Sequence, residues 1–255
     1  MGIPPETVDQ LIRENAEHCC GEDSICVRLV AVADLPTRLG EFQIVAFTSP
    51  NDGKEHAALI RGNPIGRSSV PVRLHSECLT GDGFGSLRCD CREQLELAQK
   101  QIREQDLGVI LYLRQEGRGI GFANKIKAYQ LQEHGYDTFQ ANELLGFRPD
   151  ERDYAIAAHM LASLHIDSIR LMSNNPDKVR DLEMHGVTIE GRIPLVIPPN
   201  PYNRRYLEAK RLKAGHLLDQ PNAEPVPEQV DEADGSRGGE APVPSAGSGS
   251  STDPR

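Results

Sequence analysis

No window of this 255-residue chain approaches 18 uninterrupted apolar residues, so no membrane-spanning helix is expected. The N-terminus, MGIPPETVDQLIRENAEH, has no basic start followed by an apolar run. A secretory signal is therefore not expected, and a cytoplasmic location is. Basic charge is in short supply too: 28 Lys and Arg stand against 38 Asp and Glu, a net charge of −10. A general nucleic-acid binder needs a basic face, and the acidic total argues against one. No internal repeat is present. The length admits one large domain or two small ones, with enough chain to bury a core.

The acidity is uneven. Residues 219–255 hold four Asp and four Glu against two Arg, or −6, which leaves −4 for residues 1–218. That segment also holds six of the 18 prolines and no aromatic, Leu or Ile. Such a composition cannot bury enough apolar surface to offset its ordering entropy, so a disordered tail is expected there. Residues 1–26 are weakly patterned and read as a short helical or frayed extension. The folded body is placed at residues 27–218.

Within the body, 27-VRLVAV, 41-EFQIVAF, 57-AALIRG and 69-SVPVRLH are separated by turn residues and read as short antiparallel strands. The period then changes. Leu95, Ala98 and Ile102 form a helical face, and 108-GVILYL reads as a strand. A helix through 123-ANKIKAYQLQEH ends at Gly135. A helix through 151-ERDYAIAAHMLASL leads to a strand at 168-SIRLMS. Asn175 and Pro176 supply an N-cap and a first-turn proline for a helix that Gly186 ends. The class is α/β (α+β): an antiparallel β-rich half followed by alternating helices and strands.

Six cysteines are present. Cys19, Cys20 and Cys26 fall in or beside the extension and receive no role. Cys78, Cys89 and Cys91 share one motif, 75-HSECLTGDGFGSLRCDCREQ. Closely spaced cysteines without a signal peptide point to metal before disulfide. Three thiolates leave a fourth position for water, the pattern of a catalytic zinc. The same residues also suit buried thiols, or a structural zinc closed by a fourth ligand such as His75. The titratable company of His75, Glu77, Asp82, Arg88 and Asp90 favours chemistry.

A second motif, 114-RQEGRGIG, joins a strand to a helix and makes a candidate anion cradle. It has no GK[ST] and is not a Walker A loop. Arg73, Arg118, Arg152 and Lys178 are the other cations available to a phosphate. Taken singly, each is equally a solvated surface charge. Glu77, Glu116 and Asp150 are candidate proton acceptors that spacing does not single out, and core packing is the plain reading of Tyr129.

Together, 73-RLHSECLTGDGFGSLRCDC, 114-RQEGRGIG, 127-KAYQLQEHGYDTFQAN, 146-GFRPDERDY and 173-SNNPDK resemble GTP cyclohydrolase II of riboflavin biosynthesis. The resemblance implies Cys78, Cys89 and Cys91 as zinc ligands. It implies Arg73, Leu74, His75, Ser76, Glu77, Gln94, Glu116, Gly117, Arg118, Thr138, Ser173 and Lys178 as GTP contacts, with Ser173 where the family usually has Thr. Asp150 matches a proton acceptor, Arg152 a nucleophile and Tyr129 a ring-opening tyrosine. A guanidinium is effectively always protonated, so a phosphate clamp is an equally sound role for Arg152.

The implied reaction converts GTP to 2,5-diamino-6-(5-phospho-D-ribosylamino)pyrimidin-4(3H)-one, formate and diphosphate. Zn2+ would be resident, Mg2+ would sit on the triphosphate, and the protein would be a homodimer. The 26-residue extension is too short for the dihydroxybutanone phosphate synthase domain often fused to this family, so a monofunctional chain is expected. Two alternatives remain: a member that stops at the formamidopyrimidine, and a silent zinc-stabilised GTP-binding module. A zinc nucleobase deaminase would need an H-x-E…P-C-x-x-C pattern that is absent.

Overall fold

Strand alternation decides where the site sits. The computed structural model describes residues 2–17, 26–148 and 150–203; the acidic tail, Cys19 and Cys20 lie outside these. β1 (Arg28–Thr37), β2 (Gly40–Ser49), β3 (Lys54–Arg61), β4 (Val70–Ser76), β5 (Gly108–Leu113), β6 (Ile169–Met172) and β7 (Ile189–Ile193) form one sheet. It has seven strands in the order β1-β2-β3-β5-β4-β6-β7. β1, β2, β3 and β5 pair antiparallel, while β5, β4, β6 and β7 run parallel.

β4 therefore corrects the antiparallel expectation for its segment. Every residue from Val70 to His75 is buried, the mark of a parallel strand covered on both faces.

The described residues also form six helices: α1 (Pro5–Glu17), α2 (Cys91–Gln105), α3 (Phe122–Glu133), α4 (Thr138–Leu144), α5 (Ala155–Ser163) and α6 (Pro176–Met184). Alternation splits the core. Val109, Leu111 and Leu113 of β5 join Val70, Val72 and Leu74 of β4 in a cluster with α5 and Leu182 of α6. Ile110 faces the other way, with Ala98 and Ile102 of α2. The intervening residues of β4, Arg73 and His75, share that second face.

Two boundaries differ from expectation. The N-terminal helix forms, but it is no frayed extension: Ile3 and Leu11 are buried in the main core, and the Asn15 side chain ties α1 to the Leu29 amide of β1. α5 starts at Ala155 rather than at 151: the Ala158 amide closes its opening turn on the Tyr154 carbonyl at 3.1 Å, while the Glu151 amide donates to the Arg118 carbonyl at 3.0 Å and holds residue 151 against the 114–121 loop. α4 and β7 carried no readable sequence signal.

Candidate active site

β4, β5 and β6 all end at the same edge, and β4 has β5 on one side and β6 on the other. Loops that leave neighbouring parallel strands in opposite directions open a crevice at their carboxyl ends. The three loops that follow, residues 77–90, 114–121 and 173–175, carry most of the candidate residues.

The cysteines converge. A single π-helical turn, Leu79–Gly83, folds Cys78 back toward Cys89 and Cys91 at the start of α2. The three sulfurs lie within 4.8 Å of one another, and the Cys78 and Cys89 sulfurs are 3.7 Å apart. Tetrahedral zinc with its usual sulfur bond length requires sulfurs about 3.75 Å apart, so the donor set and its spacing fit zinc. Crowding three thiols without a cation penalises ionisation. Hydrogen bonding to Cys78, with burial, pushes Cys89 up to about 11, and Cys91 rises for the same reasons. Cys78 alone is drawn down, by hydrogen bonds from Cys89 and Cys91 and by Lys125.

Lys125, on α3, is buried and donates to Cys78 Sγ at 3.1 Å and to Glu116 Oε1 at 2.8 Å. Burial opposes its charge, but the bond to Glu116 and the charge of Cys78 outweigh that and hold its pKa above the ordinary range.

His75 does not complete the sulfur set. Its Nε2 lies 3.0 Å from Asp82 Oδ2. Asp82 also accepts from Tyr112 Oη at 2.8 Å and from the Cys78 amide at 3.0 Å. Burial lowers the His75 pKa despite Asp82, so the ring is neutral and its Nε2–H donates. Asp82 thereby fastens the cysteine loop to β4 and β5.

The cations arrive from separate elements. Asn175 caps α6 by accepting from the Asp177 amide at 2.9 Å. This sets Lys178 in the first turn, where its Nζ donates to the Leu74 carbonyl at 2.9 Å. Gly117 and Arg118 both hold positive φ. Gly119 packs so closely that a Cβ would meet the Glu151 carbonyl at 2.9 Å. That contact locks the 114–121 loop to the segment bearing Arg152. Arg152 Nε donates to Asp150 Oδ1 at 2.8 Å; burial raises the Asp150 pKa, but the bond to Arg152 outweighs it and brings it down.

These groups line one cavity of about 530 Å³, within the ordinary range for a small-molecule site. Arg73, His75, Ser76, Glu77, the three cysteines, Gln94, Glu116, Gly117, Arg118, Tyr129, Thr138, Arg152, Ser173 and Lys178 all border it. Leu74 and Asp150 do not. The Leu74 side chain is in the core and serves through its carbonyl, while Asp150 reaches the cavity through Arg152. Glu116 is engaged internally: its Oε2 accepts from the Leu79 amide at 2.6 Å. Tyr129 borders the cavity, with its hydroxyl 3.3 Å from Thr80 Oγ1 and Arg88 over its ring at 4.7 Å.

A family model described as GTP cyclohydrolase II matches residues 28–194. The chain belongs to the GTP cyclohydrolase II family. Curated relatives agree. GTP cyclohydrolase-2 of Salmonella typhimurium is 50% identical over 192 residues, covering 75% of this chain and 98% of its own. GTP cyclohydrolase-2 of Picrophilus torridus is 49% identical over 192 residues, covering 75% of this chain and 100% of its own. Riboflavin biosynthesis protein RibBA of Bacillus subtilis is 53% identical over 185 residues, covering 72% of this chain and 46% of its own. The chain thus spans about half the length of that RibBA relative.

For this GTP cyclohydrolase II family member, sequence reasoning missed Lys125, Thr80 and Tyr112. Lys125 had one readable signal, its i,i+4 spacing from Tyr129, which puts both on one helix face. Nothing in the spacing pointed to Thr80 or Tyr112.

Proposed function

We propose that this chain hydrolyses GTP to the diaminopyrimidine ribosyl phosphate, formate and diphosphate, with zinc on Cys78, Cys89 and Cys91. The observation that carries this reading is the convergence of three sulfurs within 4.8 Å of one another, with Arg73, Arg118, Arg152 and Lys178 around the same cavity. Zinc, when bound, supplies Lewis-acid activation of water at an open coordination position.

The protein side of the chemistry follows from the neighbours. Burial raises the Tyr129 pKa, so its phenol stays protonated near neutral pH and serves as a proton donor as the imidazole ring opens. Arg118, Arg152 and Lys178 hold the triphosphate, and Mg2+ on it offsets the charge of the leaving diphosphate. Asp150 is held ionised by Arg152 and is a poor proton acceptor. That pairing favours Arg152 as a clamp on the α-phosphate, with water as the attacking group.

Two measurements test the reading. Mass spectrometry of the products from GTP, Mg2+ and zinc-loaded protein is expected to give the deformylated pyrimidine; accumulation of the formamidopyrimidine contradicts it. Quenched single-turnover mass spectrometry of the protein is expected to show no guanylyl adduct, since water attacks the α-phosphate directly, and a trapped guanylyl–protein adduct overturns the clamp.

A further inference from the structure

The α3 helix buries a charged lysine against a cysteine. Lys125 is only 8% exposed, and a buried ammonium is kept only where its charge is met. Its Nζ donates to Cys78 Sγ at 3.1 Å and to Glu116 Oε1 at 2.8 Å. The other oxygen of Glu116 accepts from the Leu79 amide at 2.6 Å. The path from Cys78 through Lys125 and Glu116 therefore returns to the residue next to Cys78, closing a ring of contacts around the first sulfur. Glu116 also accepts from the Gly117 amide at 2.8 Å, which anchors the ring to the turn after β5.

We propose that Lys125 is a positioning residue for the metal centre, fixing the Cys78 sulfur and setting a positive charge against it. This rests on the zinc reading above. Three thiolates around a divalent cation carry one excess negative charge. The ammonium of Lys125 offsets that charge at the sulfur it touches and withdraws electron density from it. The metal then faces a weaker donor and keeps more of its Lewis acidity. Glu116 orients the ammonium and ties the loop down, a role distinct from touching substrate.

The test compares full-length wild type with Lys125→Met and Lys125→Arg, using zinc and cobalt(II) as probes. Zinc affinity is read by competition with a chromophoric chelator. The thiolate-to-cobalt charge-transfer band reports the donor strength of the sulfurs. Lys125→Met is expected to bind zinc about 10–100-fold more weakly, because losing the contact that fixes the Cys78 sulfur outweighs the stronger donation of the freed thiolate, and to move the band to lower energy, with Lys125→Arg restoring most of both. A folded Lys125→Met protein with unchanged affinity and band overturns the proposal, as does an Arg variant impaired to the same degree as Met. Should the Met variant fail to fold by circular dichroism, Lys125→Gln carries the same comparison with the same two outcomes. Failure of the wild type to bind either metal overturns the zinc reading itself.

Discussion

A Cβ placed on Gly81 would lie 2.8 Å from the Cys89 sulfur and 3.2 Å from the Cys78 sulfur. The turn that gathers the cysteines thus passes them with no room for a side chain. Gly81→Ala has to push one sulfur aside, and the Cys78 and Cys89 sulfurs, 3.7 Å apart, are already at the spacing a single ion requires. The variant is expected to keep its melting temperature in zinc-free buffer within a few degrees and to lose at least about tenfold in zinc affinity. Chelator competition together with a thermal melt checks this; unchanged affinity contradicts it.

Asp82 supports the same loop from beneath. Replacing it with Ala strips the acceptor from His75, Tyr112 and the Cys78 amide at once. Each buried donor left unsatisfied costs about 1–3 kcal/mol. Asp82→Ala is expected to lose at least about 3 kcal/mol in urea denaturation, and Asp82→Asn, which keeps one acceptor oxygen, distinctly less.

Stability should also depend on pH through two buried histidines. His56 Nδ1 accepts from the Arg114 amide at 3.1 Å, so that nitrogen carries no proton. Burial lowers the His56 pKa against Asp52, and Lys54 and Arg114 lower it further. Burial does the same for His75 against Asp82, aided by Arg73 and Lys178. Folded values below the unfolded value of about 6.5 mean that the unfolded chain takes up protons the folded chain refuses. Stability is full above about pH 6.5 and falls below it, by at most about 1.4 kcal/mol per pH unit for each histidine. Urea midpoints between about pH 8 and pH 5 check the sign, and His56→Gln should flatten the slope.

The N-terminal helix belongs to the fold. Leu11 is 2% exposed among core residues, so Leu11→Ala is expected to cost about 2–5 kcal/mol. A loss below about 0.5 kcal/mol, the range of surface substitutions, contradicts that placement.

Tyr129 is expected to act in ring opening rather than in holding substrate. Tyr129→Phe should lower kcat for formate release by about 10²–10⁴-fold and leave KM for GTP within a few-fold. An equal rise in KM with unchanged kcat assigns it to binding instead.

What the sequence revealed follows from range. Asn175–Pro176 predicts the start of α6 because a cap acts within three residues. Cys89 and Cys91 can be read as the opening of α2 for the same reason. The direction of β4 depends on β5 and β6, and its pairing partners reach Arg170, 99 positions beyond Pro71. The one local clue is a near-continuous apolar run in VPVRL, which alone does not separate a parallel strand from a buried antiparallel one. Lys125 reads as a surface lysine because its partner Cys78 lies 47 positions away. His75 reads equally as a metal ligand until Asp82 is found on its Nε2.

Stepwise reconstitution tests most directly whether the cysteine site carries zinc for GTP hydrolysis. Protein stripped with a chelator is supplied with zinc in increments, and formate and diphosphate released from GTP are measured together. Both products are expected to be absent at first, to rise in equal amounts, and to level off at one zinc per cysteine trio. Full release of both products by the stripped protein, or diphosphate without formate at every zinc level, contradicts the account.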